Sequence, residues 1–379
     1  MKVSHIHYAS AEDIKPSSLS LRPQLVLCFA PPKLFSRLGL KEELSKHFPD
    51  AQIVGCSSAG TICGTQIDDE RASLTLVHFE ETDVRVFSRP FSTQMNYKEA
   101  GQELATLLRE PGLRHVLLFG SGIQTNASAF LDGLSNSIPR QATISGGLAA
   151  DKHEFSQTLC WHNDTVYDHG FVAVGLYGDD LEVGNGSFSG YDRFGYQRTI
   201  TRSEGNVVFE IDNEPALNLY QRYLGDYAIE MPSSAQLLPL FLVNPDDNSK
   251  SVVRTLSRFD SQTGSLTFNG ELPEGSHVYL MKGNVDGLIE GALISALLAK
   301  ECCRDRWEPE LVLCIAGAGR PMILGTREED ELEKVSDSLG SNGYVVGYYG
   351  YGEIAPNRDD PGHSLNNQSL SITTLTELL

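Results

Sequence analysis

The sequence predicts an α+β protein with largely antiparallel sheets, helices on their outer faces and strand–helix–strand units that repeat along the chain. Three glycine-rich segments support this prediction: AQIVGCSSAGTI at 51–62, ATISGGLAAD at 142–151 and GYVVGYYGYGEIAP at 343–356. Each follows an apolar run (LVLCFA, HVLLFGSG or LVLCIAGAGR) and then a helical pattern. A chance succession of strands and helices is the alternative to a repeated unit.

Equal spacing in the first two units favours the repeat, because Val26 precedes Val54 by the same distance as Val116 precedes Ile144. The second unit is followed by several consecutive strands, which exclude a simple βαβ dinucleotide fold. Individual elements are predicted from their patterns. They are a strand at 25–30, a helix at 34–48, a hairpin of 73–80 with 84–91, a helix after the cap Asn96, a helix at 285–301 and a final strand from 370.

Composition narrows the class of protein. The chain has 379 residues, 40% hydrophobic and 21% charged, which is typical of globular domains. A net charge of -20 excludes a surface that neutralises phosphates, so neither nucleic acid nor an anionic membrane is expected as a partner. Seven cysteines without C-x-x-C, no signal sequence and no long apolar run predict a cytoplasmic protein without membrane insertion.

Catalytic and nucleotide motifs are weak. No G-x-x-x-x-G-K-[ST] occurs, and no G-x-G-x-x-G is followed by an acidic residue at the required distance. Cys56 and Ser57 lie in a glycine-rich turn that resembles a nucleophile elbow loosely, because Ala59 stands where G-x-S-x-G needs glycine. The chain is therefore not predicted to be an enzyme, and a hydrolase using Cys56 or Ser57 stays as an alternative.

Charged residues at the ends of the glycine-rich segments suggest a small-molecule site. Arg320 and Glu353 end neighbouring strands, and together they match the carboxylate and the ammonium group of a zwitterion. A salt bridge between the two side chains is the alternative. Asp151, at the end of the second unit, could join either arrangement.

Ten histidines are scattered along the chain without an H-x-x-x-H pattern or a Cys/His cluster, which argues against a structural zinc site. His153, His162 and His169 fall in one region beside Trp161. One histidine over an apolar slot is sufficient to hold haem b, and the missing C-x-x-C-H excludes covalent attachment. An ordinary surface or hydrogen-bonded role is the alternative for each histidine.

The motifs SGGLAAD, GFVAVGLYGDDLEV, GRPMILGTREEDE, GYYGYGEIAP and NNQSLSITTL resemble the FIST family. The resemblance extends over nearly the whole chain and implies an N-terminal FIST domain, residues 1–212, and a C-terminal one, residues 213–379. Two motif positions depart from the family. Alanine and glycine precede Gly319 and Arg320 where a serine–cysteine pair is common, and Asn366 stands where a histidine is common.

The resemblance implies a sensor of small ligands, with a pocket at the glycine-rich strand ends. The resemblance to stand-alone members of the family implies that this protein binds haem b, senses nitric oxide and regulates a partner sensor histidine kinase. An amino-acid sensor without haem is the alternative, and the sequence leaves both a monomer and a homo-oligomer open. The predicted ligand-binding residues are Cys56, Ser57, Gly146, Gly147, Asp151, Arg320, Tyr351, Glu353 and Asn367, and the predicted iron ligands are His153, His162 and His169.

Overall fold

The computed structural model describes residues 1–10, 13–14, 21–35, 40–92, 95–244, 251–303, 308–340, 343–356 and 362–378. The first part of the chain contains β1 (Lys2–Tyr8), β2 (Leu25–Ala30), α1 (Pro32–Phe35), α2 (Leu40–His47), β3 (Gln52–Ser57), β4 (Thr61–Cys63), β5 (Gln66–Asp68), β6 (Ala72–His78) and β7 (Asp83–Pro90). The second contains α3 (Tyr97–Leu108), β8 (Leu113–Gly120), α4 (Ala127–Ser135), β9 (Thr143–Leu148), β10 (Cys160–His162), β11 (Thr165–Tyr167), β12 (Gly170–Tyr177) and β13 (Leu181–Phe188).

The third part contains β14 (Tyr191–Glu204), β15 (Val207–Ile211), β16 (Glu214–Pro215), α5 (Ala216–Leu224), β17 (Leu240–Val243), β18 (Val252–Arg254), β19 (Leu256–Asp260), β20 (Ser265–Phe268) and β21 (His277–Gly283). The last contains α6 (Val285–Glu301), β22 (Leu311–Gly317), α7 (Arg320–Leu324), α8 (Glu328–Leu339), β23 (Tyr344–Gly350), β24 (Gly352–Pro356), β25 (His363–Asn366) and β26 (Leu370–Glu377). The mixed α+β class and its largely antiparallel sheets are as predicted.

Three sheets share one plan of six strands. At the centre of each sheet are two parallel strands, which are connected in sequence by a helical segment. Two antiparallel strands lie on one side of this pair, and a hairpin lies on the other. The parallel pairs are β2 with β3, β8 with β9, and β22 with β23. The predicted repeat is therefore confirmed, and the chance alternative is rejected. A fourth sheet, β14 to β21, is inserted within the third repeat, and the predicted boundary at 212–213 lies inside it.

The hairpins are exchanged around the three sheets. The hairpin β4–β5 follows β3 in sequence but pairs with β23, β10–β11 follows β9 but pairs with β3, and β24–β25 follows β23 but pairs with β9. Three backbone hydrogen bonds repeat the same cycle: Ala59 N to Tyr349 O at 3.0 Å, Ala150 N to Ser57 O at 2.9 Å and Tyr351 N to Leu148 O at 3.2 Å. The three repeats thus form one closed body.

Glycine is required on the second strand of each parallel pair because the neighbouring strand approaches closely. A Cβ atom at Gly55, Gly146 or Gly347 would lie 1.7 to 1.9 Å from the carbonyl oxygen of the paired residue. The rings of Phe29, Phe119 and Tyr348 fill the centre where the three sheets meet, with centroids 4.6 to 6.4 Å apart. We call this packed centre, with the three backbone bonds around it, the central junction.

Several local predictions can be compared with the structure. The strand at 25–30, the Asn96 cap and the helix at 285–301 are confirmed. The prediction of a hairpin of 73–80 with 84–91 is wrong, because β6 belongs to the first sheet and β7 belongs to the second. The Glu377 carboxylate accepts the backbone N–H groups of the intervening residues 80–82 and holds the two strands apart. For the helix predicted at 34–48, the structure describes α1 up to Phe35 and α2 from Leu40, and residues 36–39 lie outside the described residues.

Candidate ligand-binding site

Arg320 is completely buried, and every one of its N–H groups is used within the protein. Nε and Nη2 donate to Glu331 Oε2 at 3.0 and 2.7 Å, and the remaining groups donate to the carbonyl oxygens of Ser189, Leu288 and Gln368. Glu331 also accepts from the Tyr349 hydroxyl at 2.9 Å. This guanidinium has no free donor for a ligand carboxylate. Its ion-pair partner is Glu331 on α8, so the alternative of a salt bridge between Arg320 and Glu353 is wrong.

Glu353 is likewise fully buried on β24. Its Oε2 accepts from Ser369 N at 2.9 Å and from Ser369 Oγ at 2.7 Å, while Oε1 has no partner among the described residues. Burial raises the pKa of Glu353 to about 8, against the lowering effect of the Ser369 bonds. The side chain therefore keeps its proton to a higher pH than an exposed glutamate, which weakens its attraction for a ligand ammonium group.

Asp151 shapes a turn at the edge of the protein. Its carboxylate accepts the backbone N–H groups of residues 155–157 at 2.8 to 2.9 Å and the Tyr351 hydroxyl at 2.6 Å. The Phe155 ring stacks on Tyr351 with a centroid distance of 4.4 Å. Asp151 and Tyr351 thus hold the turn that carries Lys152 and His153 outward.

The remaining predicted ligand-binding residues are packed against the backbone. Asn367 is buried and donates to Tyr351 O at 2.6 Å while its carbonyl oxygen accepts from Thr255 N. A Cβ atom at Gly147 would lie 2.6 Å from Gly352 O, and one at Gly146 would lie 1.9 Å from Leu118 O. These contacts stabilise the strand ends and occupy the polar groups of Asn367 within the protein, whereas Asp151 lines the larger of the two clefts described below.

Cys56 and Ser57 belong to the buried part of β3. Burial raises the pKa of the Cys56 thiol to about 12, so the reactive thiolate is scarce at neutral pH. Ser57 Oγ accepts a hydrogen bond from Leu159 N at 3.0 Å. This environment gives no support to the hydrolase alternative.

Open space lies beside these strand ends, in two adjoining clefts. The larger has a volume of about 1030 Å³, and the smaller has a volume of about 640 Å³. Both are lined by Asp68, Asp69, Glu70 and Lys152. The smaller cleft is completed by Ala59, Gly60, Ile67, His153, Ala318, Pro321, Glu328 and Tyr349, so its walls come from all three repeats. Its size is that of a small-molecule site.

The smaller cleft concentrates negative charge. Asp69 forms an ion pair with Lys152 across its wall. Glu328, in the first turn of α8, has a raised pKa because of burial and the nearby carboxylates of Glu329, Glu331 and Asp69. A cationic group in this cleft would relieve that repulsion. These residues are not recognisable as a site from the sequence, because the run Asp68–Arg71 is typical of an ordinary charged turn.

The three predicted iron ligands do not share a cleft. Within the described chain only His153 lines either cleft, and its Nδ1 is buried without a partner. His162 Nδ1 lies 3.3 Å from Ser88 Oγ, and His169 is half-buried elsewhere. Haem needs an apolar slot, and its propionates are anionic, whereas the wall at His153 carries four carboxylates. The described residues therefore do not fit haem b.

Two family models match the chain in succession: the FIST N domain over residues 24–214 and the FIST C domain over residues 216–356. The chain belongs to the FIST family. FIST domains are small-ligand sensing domains of signal transduction rather than catalytic domains. The smaller cleft joins the two regions, with Asp68–Glu70, Lys152 and His153 from FIST N and Pro321 and Glu328 from FIST C.

Other comparisons add less to this FIST assignment. An uncharacterised protein of Methanocaldococcus jannaschii is 24% identical over 267 residues, which is 64% of this chain and 51% of the relative. The chain thus spans about half the length of that curated relative. A superposition on the crystal structure of a cyanuric acid hydrolase from A. caulinodans includes 99% of this chain and 98% of the hydrolase chain, at 9% sequence identity. Its TM-score of 0.38 does not establish a shared fold. None of the helices described is both long and apolar enough to span a bilayer.

Proposed function

We propose that this FIST protein senses a small molecule bearing an ammonium group, with an amino acid as the favoured case, and binds it in the smaller cleft. The observation that carries the proposal is the acidic lining contributed by both FIST regions. Asp69, Glu70 and Glu328 would accept from the ammonium group. Lys152 would pair with the carboxylate of a zwitterion and exchange its present bond to Asp69 for one to the ligand.

A ligand in this position would contact two parts that are distant in sequence and that both border the third sheet. Asp69 follows the β4–β5 hairpin, which pairs with β23, and Glu328 begins α8. A sensor needs a ligand that binds one arrangement of its parts better than another. Binding here would favour the arrangement that brings α8 and the hairpin together, and a signalling partner would recognise the surface so formed.

Thermal-shift measurements with a panel of L-amino acids and simple amines test the proposal. We expect at least one compound to raise the melting temperature of the wild type, and Asp69→Asn and Glu328→Gln to remove the rise. Glu329→Gln is the matched control, because Glu329 is exposed one residue along the same helix and does not line the cleft. Silence across the panel, or equal responses in all variants, would contradict the proposal.

Lys152→Met separates the two chemical classes of ligand. An amino acid should lose its stabilising effect in this variant, because the carboxylate loses its partner. A simple amine should raise the melting temperature of this variant by at least as much as that of the wild type, because Asp69 is released from its ion pair. Haem b, nitric oxide and a sensor histidine kinase stay predictions on which this proposal does not depend. An absorption spectrum after addition of hemin tests the haem prediction, and a Soret band that disappears in His153→Ala would support it against the poor fit of the acidic lining.

A further inference from the structure

We propose that His5, His7 and Cys63 form a zinc site where the first and third sheets meet. One ligand atom from each residue lies within 4.8 Å of the others. His5 and His7 are two residues apart on β1 and so point to the same face of that strand. Cys63 is on β4, which pairs with β23 in the third sheet. This inference does not depend on the proposed function.

The distances suit a tetrahedral metal. His5 Nδ1 lies 3.2 Å from Cys63 Sγ. Ligand atoms around a tetrahedral zinc with bonds of about 2.0 to 2.3 Å are separated by roughly 3.3 to 3.7 Å. Small side-chain rotations would therefore bring all three atoms to a shared ion. Two imidazoles and one thiolate are a ligand set that zinc prefers, and three protein ligands leave a fourth position open.

The surroundings of the two histidines also match those of metal ligands. His5 Nε2 lies 2.9 Å from Ser73 Oγ, an outer-shell contact that orients the ring and directs Nδ1 toward Cys63. His7 Nδ1 is buried and has no hydrogen-bond partner among the described residues. Such an orphaned buried nitrogen is unusual in a folded protein unless a bound group satisfies it.

Zinc at this position would join the hairpin β4–β5 to β1. The same hairpin leads into Asp68 and Asp69 of the smaller cleft, so an ion here would also restrain one cleft wall. The sequence shows no H-x-x-x-H pattern and no Cys/His cluster, and so gives no sign of this site, because Cys63 is 58 residues from His5. The exchange of the hairpin between sheets brings the three residues together.

The test uses the full chain without a polyhistidine tag, titrated with Co²⁺ and with Zn²⁺ against a chromophoric chelator. We expect one Co²⁺ per chain with a thiolate-to-cobalt charge-transfer band. Cys63→Ser should abolish this band, and His7→Gln should weaken zinc binding at least about tenfold, which even outer-shell changes achieve. Cys302→Ser is the matched control, because Cys302 is exposed and distant from the histidines in sequence.

Melting curves of the metal-free variants identify any failure to fold. Equal melting temperatures of metal-free wild type and variants, with a zinc-induced rise only in the wild type and Cys302→Ser, would complete the support. The proposal is overturned if the band is missing, if it persists in Cys63→Ser, or if His7→Gln binds zinc as the wild type does. Binding of Cu⁺ through these residues without zinc binding would overturn the zinc assignment.

Discussion

The central junction and the smaller cleft are built from the same three strand ends, yet one is closed and the other is open. At the junction, glycines let neighbouring backbones approach, and Tyr348 fills the remaining space between Phe29 and Phe119. At the cleft, the chain leaves the strand ends in charged turns that face one another across solvent. Glycine-rich strand ends in this fold therefore mark close packing, and the adjacent turns provide the room for a ligand.

The largest effect should come from breaking the buried ion pair beside the junction. Arg320→Ala leaves Glu331 buried without its partner, and we expect a loss of about 3–5 kcal/mol in the free energy of unfolding. Arg327→Ala is the control, because its ion pairs with Asp286 and Asp330 are exposed and should contribute about 1 kcal/mol or less. Urea denaturation measures both. Similar losses in the two variants would contradict the account.

A smaller loss is expected from a methyl group placed at the close approach of two strands. Gly146→Ala puts a Cβ atom 1.9 Å from Leu118 O at a φ of +143°, and overpacking of this kind costs about 1–3 kcal/mol or more. Gly60→Ala, at the cleft, would place a Cβ atom 3.3 Å from the Ile67 side chain and 3.6 Å from the Tyr349 ring, with no backbone contact, and should cost about 1 kcal/mol or less. Equal unfolding free energies for the two variants would remove the distinction between the regions.

The pH dependence of stability should reveal the buried carboxyl group of Glu353. The pKa of Glu353 is raised from 4.5 to about 8 on folding, so the folded protein binds more protons between these values than the unfolded chain. Its contribution to stability is present below pH 4.5 and is lost as pH rises toward 8. Glu353→Gln should flatten this part of the pH profile in urea denaturation. A profile that keeps the wild-type slope would show that the carboxyl group is not buried as described.

The smallest effects on stability should come from the cleft. Without ligand, Asp69→Asn and Glu328→Gln should change the free energy of unfolding by no more than about 0.5 kcal/mol, as partly exposed side chains usually do. Chemical denaturation of the ligand-free proteins gives these values. A large loss would mean that the carboxylates stabilise the fold, in which case their clustering in the cleft would not indicate a ligand.

Much of the architecture could be predicted because it depends on local sequence patterns. The close approach at Gly55, Gly146 and Gly347 requires glycine, and this produces the visible threefold repeat. The helix at 285–301 combines an Asn284 cap with apolar residues at helical spacing. Hairpin exchange could not be predicted, because pairing of Cys63 with Val346 depends on contacts between distant parts of the chain.

The site was harder to predict because the chemistry of a side chain depends on its final neighbours. Arg320 reads as a free ligand-binding residue until Glu331 is known to face it, and Glu331 belongs to a run of charges typical of an exposed helix face. The cleft residues show the opposite error, since Asp69 and Lys152 look like ordinary turn residues. Only the folded arrangement places them on one wall.

Hydrogen exchange followed by mass spectrometry tests the location of binding most directly, with and without the amino acid or amine that gives the largest thermal shift. The account predicts slower exchange in the turn after β5, around residues 68–71, and in the first turn of α8, with no change at the central junction. Slower exchange confined to the strand ends around Gly147 and Tyr348, with the cleft unchanged, would contradict it.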